Sequence, residues 1–443
     1  MAGKEEMLWK QRAKAFWLVS RDRNTRFFHA KANERRLRKE IKKLKDENGV
    51  EVCDKGGIQN IVSRYFHSMF ASTLPSVEAM EDALAGLEGR VTHAMNELLL
   101  LTFTSDEITQ ALQQMDPLKS PGPDGMPPVF YQKYWSIVGP DVCDSMLNFL
   151  NNDFVDPLTN FTHIVLIPKC PDPSDMTQFR PISLCNVLYK LASKAIANRL
   201  KPILSSIIST SQAAFVPHRL ITDNVLAAYE LNHYIKHKNK GKKGYVSLKL
   251  DVSKAYDRVE WRFLESVLLR LGFHHKFIHL IMSCVTTVSF SFFLNVEHFG
   301  FLRPRRGLRQ GDPLSPYLFL FCAEAFSGLI RKAEVEGRIR GVAVSRLAPP
   351  ISHLLFADDT LIFCEASTES LRCISDILII YERGSGLKIN LQKSAMVVSR
   401  NVEVNQRVEL AHILGVEVVE KHAKYLGLPT VAGRSKRESC SKE

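Results

Sequence analysis

Paired cysteine spacing is the first thing missing. The chain has nine cysteines, an odd number, and no Cys-x-x-Cys pair, which argues against a zinc ribbon and against a disulfide framework. Long hydrophobic runs are missing too. The longest, around Leu318 to Phe321, is broken by Glu324, far short of the ~18–20 residues of a membrane span. Met1-Ala2-Gly3-Lys4-Glu5-Glu6 lacks the apolar stretch of a secretory signal. No internal repeat or low-complexity tract is present. These absences predict an intracellular, reduced, globular protein.

Acidic residues are scarce in one segment only. Between Lys10 and Lys45 stand 14 basic and 3 acidic residues, a net +11 out of the chain's +12, which leaves the rest almost neutral at +1. A basic arm on a balanced body points to a polyanion, either nucleic acid or a membrane surface. Hydrophobic residues make up 45% and charged residues 24% of 443 positions, ordinary composition for two to three globular domains.

The patterning mixes helices and strands. Phe27 to Asp46 reads as a basic helix followed by an Asn48-Gly49 turn. Ile58, Ile61, Val62, Tyr65, Phe66, Met69 and Phe70 are spaced as an amphipathic helix that must dock on something. Residues 72–100 are weakly patterned and read as partly linker. A compact domain is expected from near Phe103, where Thr104 and Glu107 fit a capping box. His163 to Pro168 and Phe179 to Leu184 read as antiparallel strands, and 188–204 as a long helix kinked at Pro202. A lysine-rich stretch, Lys236 to Lys243, precedes a strand from Tyr245 to Asp251. Two helices, a strand pair across 287–302 and a long helix over 314–336 follow. Ile351 to Ala357 and Thr360 to Cys364 read as strands separated by Asp358-Asp359. Antiparallel neighbours joined by tight turns predict an α+β fold rather than a parallel βαβ sheet.

Carboxylates carry the strongest chemical signal. Adjacent Asp358 and Asp359 at a hairpin tip repel each other unless a cation neutralises them, although Asp-Asp is also a good turn dipeptide. Asp257 reads as a helix N-cap, with Glu260 completing a capping box. Asp251 has no such duty at the end of a buried strand. If that strand lies beside the hairpin, Asp251, Asp358 and Asp359 converge. Three hard oxygen donors without His or Cys suit Mg²⁺ or Mn²⁺, and two such ions can hold the oxygens of a phosphoryl transfer.

In order along the chain, Leu250-Asp251-Val252-Ser253-Lys254-Ala255-Tyr256-Asp257, Arg309-Gln310-Gly311-Asp312-Pro313-Leu314-Ser315-Pro316 and Phe356-Ala357-Asp358-Asp359 resemble the reverse transcriptase of LINE-type (non-LTR) retrotransposons. Ser120-Pro121-Gly122-Pro123-Asp124-Gly125, Ile167-Pro168-Lys169, Phe179-Arg180-Pro181-Ile182-Ser183-Leu184 and the segment Gly386 to Ser394 extend the resemblance over roughly 100–430. The preceding arm resembles plant members.

The resemblance implies a right-hand polymerase. It divides the chain into a basic arm and linker at 1–100, fingers and the start of the palm at 101–250, a palm at 245–400, and the palm's end with an incomplete thumb connection at 401–443. Asp251, Asp358 and the Val252 carbonyl would bind two catalytic Mg²⁺ or Mn²⁺ ions, with Asp359 in support. Tyr256 would exclude a 2′-hydroxyl, or else is a core aromatic. Lys169 and Arg180 would hold the incoming triphosphate, a role that a lysine point charge and an arginine fork suit; solvated strand-end cations are the alternative. Gln310 and Gly311 would contact template and nucleotide, or form an ordinary N-cap loop. Arg303, Arg305, Arg306 and Arg309 read as a phosphate track. Lys393 matches the family's candidate proton donor to pyrophosphate, with a surface lysine as the alternative.

The implied partners are an RNA template, a DNA primer and deoxynucleoside triphosphates, with no membrane. The endonuclease domain of a complete element protein is not found before residue 100, and the complete protein is expected in the nucleus. Arg35-Arg36 and Lys42-Lys43 are weak import candidates. The arm is expected to bind template RNA or to be a solvated basic helix. A non-catalytic nucleic-acid-binding fragment of a decayed element is the rival reading.

Overall fold

The computed structural model describes Glu34 and residues 40–152, 156–428 and Thr430. Most of the basic arm therefore lies outside the described residues. The end of its expected helix is instead a strand. Leu44–Lys45 (β1) pairs antiparallel with Glu51–Val52 (β2). The Asp46 carboxylate accepts hydrogen bonds from the backbone N–H groups of Asn48 and Val50 across the turn, and Leu44 is fully buried. Local turn chemistry and one buried leucine thus override helical charge patterning. Asp54 caps the expected amphipathic helix, Lys55–Phe70 (α1). Its Phe66 stacks on Phe292 at 5.2 Å, joining a core with Ile58, Val62, Phe70, Ile164 and Phe290.

Residues 72–100 are not a linker. They form Val77–Ala83 (α2) and His93–Leu99 (α3) and send Leu84 and Leu87 into the main core. The pattern looks weak because part of the contact is made by backbone. Gly86 and Gly328 lie against each other's carbonyls, with no room for a Cβ on either.

Ser105–Gln113 (α4) carries the expected capping box of Thr104 and Glu107. Pro128–Lys133 (α5) and Trp135–Asn152 (α6) lead to Phe161–Pro168 (β3) and Phe179–Cys185 (β4), which pair antiparallel with Ile167 opposite Arg180. Val187–Leu200 (α7) gives way to a 3-10 turn at Lys201–Ile203 and a short Leu204–Ile207 (α8), the break falling at Pro202, whose ring cannot continue the helix. Ile221–His237 (α9) then precedes Tyr245–Leu250 (β5).

Ala255–Arg258 (α10), Trp261–Leu271 (α11) and His275–Thr286 (α12) are followed by Ser289–Leu294 (β6) and Glu297–Leu302 (β7). Next come Ser315–Val335 (α13), His353–Phe356 (β8), Asp359–Glu365 (β9), Thr368–Ser385 (α14), Ala395–Val398 (β10), Val404–Leu414 (α15) and Glu417–Val418 (β11). One sheet has the order β4-β3-β6-β7, the other β11-β10-β5-β9-β8. Both faces of the five-stranded sheet are covered. Val246, Leu248 and Leu250 enter the main core, while Leu361, Phe363 and Val397 meet Leu231 and Ile235 of α9. The fold is α+β. No helix among the described residues is long and apolar enough to cross a membrane.

Replacing Gly86 by Ala is expected to destabilise the protein by about 1–3 kcal/mol through overpacking, because the new methyl meets the Gly328 carbonyl. Thermal denaturation measures it; an unchanged midpoint would show that residues 84–88 do not pack on α13.

Candidate active site

Strand pairing decides which carboxylates meet. β5 and β9 run antiparallel with Leu250 opposite Thr360, so Asp251 leaves the ladder at the end where the β8–β9 hairpin turns. Within that hairpin Phe356 pairs with Asp359. The tip is therefore Ala357-Asp358, and Asp359 belongs to the strand rather than to the turn. Ala357 takes a positive φ of 54°, and its N–H donates to Gln212 Oε1 at 3.1 Å. A non-glycine residue rarely holds this conformation unless its surroundings impose it. The Asp251 end is fixed as well. Its N–H donates to Ser394 Oγ, its carbonyl accepts from Asn390 N–H at 2.8 Å, and Ser253 N–H donates to the Lys388 carbonyl.

A cleft of about 880 Å³ opens beside these ends. Of the ten residues singled out in the sequence, nine line it: Asp251, Val252, Tyr256, Asp358, Lys169, Arg180, Gln310, Gly311 and Lys393. Asp359 is not among the lining residues, because the register turns it into the ladder. Burial raises the Asp358 carboxyl above the ordinary range, and the Asp251 charge raises it further. Burial also raises Asp359, with Asp358 adding to the effect. Among the described residues no group of three or more His, Cys, Asp or Glu side chains is placed to hold a metal ion; Asp251 and Asp358 line the cleft, and Asp359 lies near enough for the charges of both to raise its carboxyl.

Cations line the same cleft. Lys169 Nζ donates to the Thr177 carbonyl at 3.0 Å, and its pKa is lowered by burial and then by Lys393 and Arg180. Tyr256 stacks on Phe319 at 4.9 Å while lining the cleft, so a core contact and a cleft position coexist. Gly311 has φ of 111°, and a Cβ there would stand 3.1 Å from the Ser183 carbonyl. Its glycine is explained by close approach to β4, together with the Ser183 N–H bond to the Gln310 carbonyl.

The expected phosphate track splits in two. Arg303 and Arg305 are exposed. Arg306 is buried on Glu260 and the Met69 carbonyl. Arg309 is buried over the Tyr189 ring, with Asn160, Thr162, the Cys284 carbonyl and Asp312 as partners.

The sequence profile of the family described as reverse transcriptase (RNA-dependent DNA polymerase) matches residues 167–430, more than half of the chain. The chain belongs to the reverse transcriptase family. A protein of transposon TX1 from Xenopus laevis, itself uncharacterized, is 29% identical over 411 residues, 93% of this chain and 30% of that protein. A retrovirus-related Pol polyprotein from a type-1 retrotransposable element R2 of Nasonia vitripennis is 33% identical over 201 residues, 45% of this chain and 18% of that protein. An uncharacterized mitochondrial protein of Arabidopsis thaliana is 58% identical over 69 residues, 16% of this chain and 57% of that protein. The chain thus spans less than two thirds of the length of each. Membership implies the palm-and-fingers fold of polymerases, consistent with the α+β architecture.

Around this reverse transcriptase cleft the sequence reading missed several residues. Lys254, at φ of 52°, lines the cleft and donates to the Phe179 carbonyl at 3.1 Å. Asp257 is not a helix cap: it lies inside α10, 2% exposed. Glu260 does not complete a capping box either; it accepts from Ser72, Thr73 and Arg306. Asp257 Oδ1 accepts from Gln310 Nε2 at 3.3 Å, and Oδ2 has no partner. The only signal was a second acid in the Asp251 motif, which capping explained too readily.

Burial pushes the Asp257 carboxyl up to about 6, against the pull of Lys254, Gln310, Lys169 and Arg258. A raised carboxyl keeps its proton in the folded state after the unfolded chain has released it. Stability therefore falls as pH rises from about 4 to about 6, and the full cost remains above that. Asp257→Asn is expected to raise the thermal midpoint at pH 8, by the equivalent of about 1–3 kcal/mol, and to do little at pH 4. Equal shifts at both pH values would contradict this.

Proposed function

We propose that the chain is the RNA-directed DNA polymerase of a LINE-type retrotransposon, extending a DNA primer on an RNA template. The observation that carries this reading is the convergence of Asp251 and Asp358 on a cleft also lined by Lys169, Arg180 and Lys393, in a chain of the reverse transcriptase family. The five-stranded sheet is the palm and the four-stranded sheet the fingers. The relatives named for retrotransposable elements favour this source, and the short Arabidopsis match favours a plant one.

The donor set suits the implied ions. Asp251 and Asp358 offer hard oxygens, and burial together with the Asp251 charge raises the Asp358 carboxyl, a cost that a bound cation would relieve. Magnesium is commonly held by one or two carboxylates together with substrate phosphates rather than by a full protein cage, which fits a pair better than a triad. Two Mg²⁺ or Mn²⁺ ions on Asp251, Asp358 and the Val252 carbonyl, supported by Asp359, would supply charge neutralisation for the attacking and leaving oxygens. Lys169 and Arg180 line the same cleft and would grip the triphosphate. Tyr256, backed by Phe319, presents a rigid edge against a 2′-hydroxyl. Gln310 and Gly311 would meet template and nucleotide, and Lys393 would give a proton to pyrophosphate. The protein positions and stabilises charge; base pairing selects the nucleotide.

The recombinant chain is expected to extend a DNA primer on RNA with Mg²⁺ or Mn²⁺, and Asp358→Asn to lower the rate by at least a hundredfold. Salt-sensitive RNA binding with no extension on any template would favour the non-catalytic reading. Separately, Tyr256→Ala is expected to admit ribonucleotides; unchanged sugar discrimination in a primer-extension competition would refute the gate.

A further inference from the structure

Asp257 is a buried acid for which the mechanism has no use. It touches no substrate-facing surface and is 2% exposed, and one of its oxygens has no partner. Such a group costs stability unless something else requires it. Its single side-chain hydrogen bond goes to Gln310, which does line the cleft.

A carboxylate only accepts hydrogen bonds, whereas a glutamine amide has one accepting and one donating end. Facing Asp257, Gln310 must therefore turn its Nε2 inward. The backbone holds the pair in place from both sides: the Gln310 carbonyl accepts from Ser183 N–H of β4, and the Leu308 N–H donates to the Tyr256 carbonyl beside Asp257. Next to Gln310, the buried Arg309 fixes the loop on Asn160 and Asp312. The amide can then satisfy Asp257 in one orientation only.

We propose that Asp257 is a positioning residue that locks the Gln310 side chain with its carbonyl Oε1 toward the cleft, so that the nucleotide or template group met there is a hydrogen-bond donor. This rests on the polymerase reading for what occupies the cleft, but not for the lock itself. An acceptor-only partner explains why an acid is kept where an amide would be less costly. Asparagine would let both amides flip together and satisfy either orientation.

Two measurements test it. In the chain without substrate, ¹⁵N-glutamine labelling reads the Gln310 amide, assigned by its loss in Gln310→Ala. Asp257→Ala is expected to move that resonance toward those of exposed glutamines and to speed its exchange with water at least tenfold; an unchanged resonance and exchange rate overturn the lock. In primer extension, Asp257→Ala and Gln310→Ala are each expected to lower kcat/KM for the nucleotide by roughly ten- to a hundredfold. The double variant should stay within about threefold of the worse single variant. Losses that multiply overturn the proposal. Asp257→Asn, which keeps an acceptor and halves the correctly oriented population, should cost about twofold; a loss as deep as that of alanine refutes the role. If the wild-type chain extends nothing, the polymerase reading fails, and the amide measurement still decides the lock.

Discussion

One strand pairing governs the rest of the site. Because β5 and β9 are antiparallel and in register at Leu250 and Thr360, the chain delivers Asp251 and Asp358 to the same end of a sheet buried on both faces. A shift of one residue would part the two carboxylates and move Val246, Leu248 and Leu250 out of the main core onto the face already filled by Leu231 and Ile235. The hydrophobic core therefore enforces the electrostatic conflict. Leucine and valine burial fixes a register in which two negative charges meet away from bulk water.

Cations share the cleft. Lys169, Arg180 and Lys393 gather on elements outside the carboxylate hairpin, and Lys393 and Arg180 both disfavour the Lys169 charge. β4 is tied to the loop before α13 by the Ser183 N–H bond to the Gln310 carbonyl, and that loop is anchored to β3 and α12 by Arg309. It is a buried cation stacked on Tyr189 and bonded to Asn160 at the start of β3, to the carbonyl of Cys284 in α12, and near Asp312 beside α13. Buried ion pairs add little net stability; here the pair ties the four-stranded sheet to the loop that carries Gln310.

The sequence made the two ends of this arrangement legible and hid the middle. Alternating apolar residues exposed the strands 161–168, 179–185 and 245–250, and motif order exposed the carboxylates they carry. The α+β class followed from the same pattern. Residues 72–100 were opaque because glycine backbone makes part of their contact, and a residue without a side chain leaves no periodic mark. The hairpin tip shifted by one residue because Ala357, a poor candidate for positive φ, occupies the turn position that Asp359 was expected to share. Asp257 and Glu260 were misread for a different reason. Their spacing satisfies a local rule, and only tertiary burial shows that the rule is not used. Arg306 and Arg309 likewise look like surface cations in sequence and are structural in three dimensions.

Local rules fail in several parts of the fold, from Leu74, Phe215 and Val296 at positive φ to the partnerless Gln212 Nε2 and His422 Nδ1, and some of these failures adjoin the cleft. Ala357 and Lys254 both hold a positive φ, which costs a residue with a Cβ roughly 1 kcal/mol or more. Tyr65 Oη, Asp257 Oδ2 and Arg258 Nε are buried without partners, and Tyr65, Lys254 and Arg258 line the cleft. Many helix ends obey local preferences: Asp54, Ser76, Thr104 and Ser367 cap their helices, and Pro202 breaks one. The failures that adjoin the cleft are strained or unsatisfied groups of the kind a functional site retains. The costs also differ in kind. Backbone strain at Ala357 aims a carboxylate, whereas the half-satisfied Asp257 aims an amide, so the site's geometry is held by two separate devices.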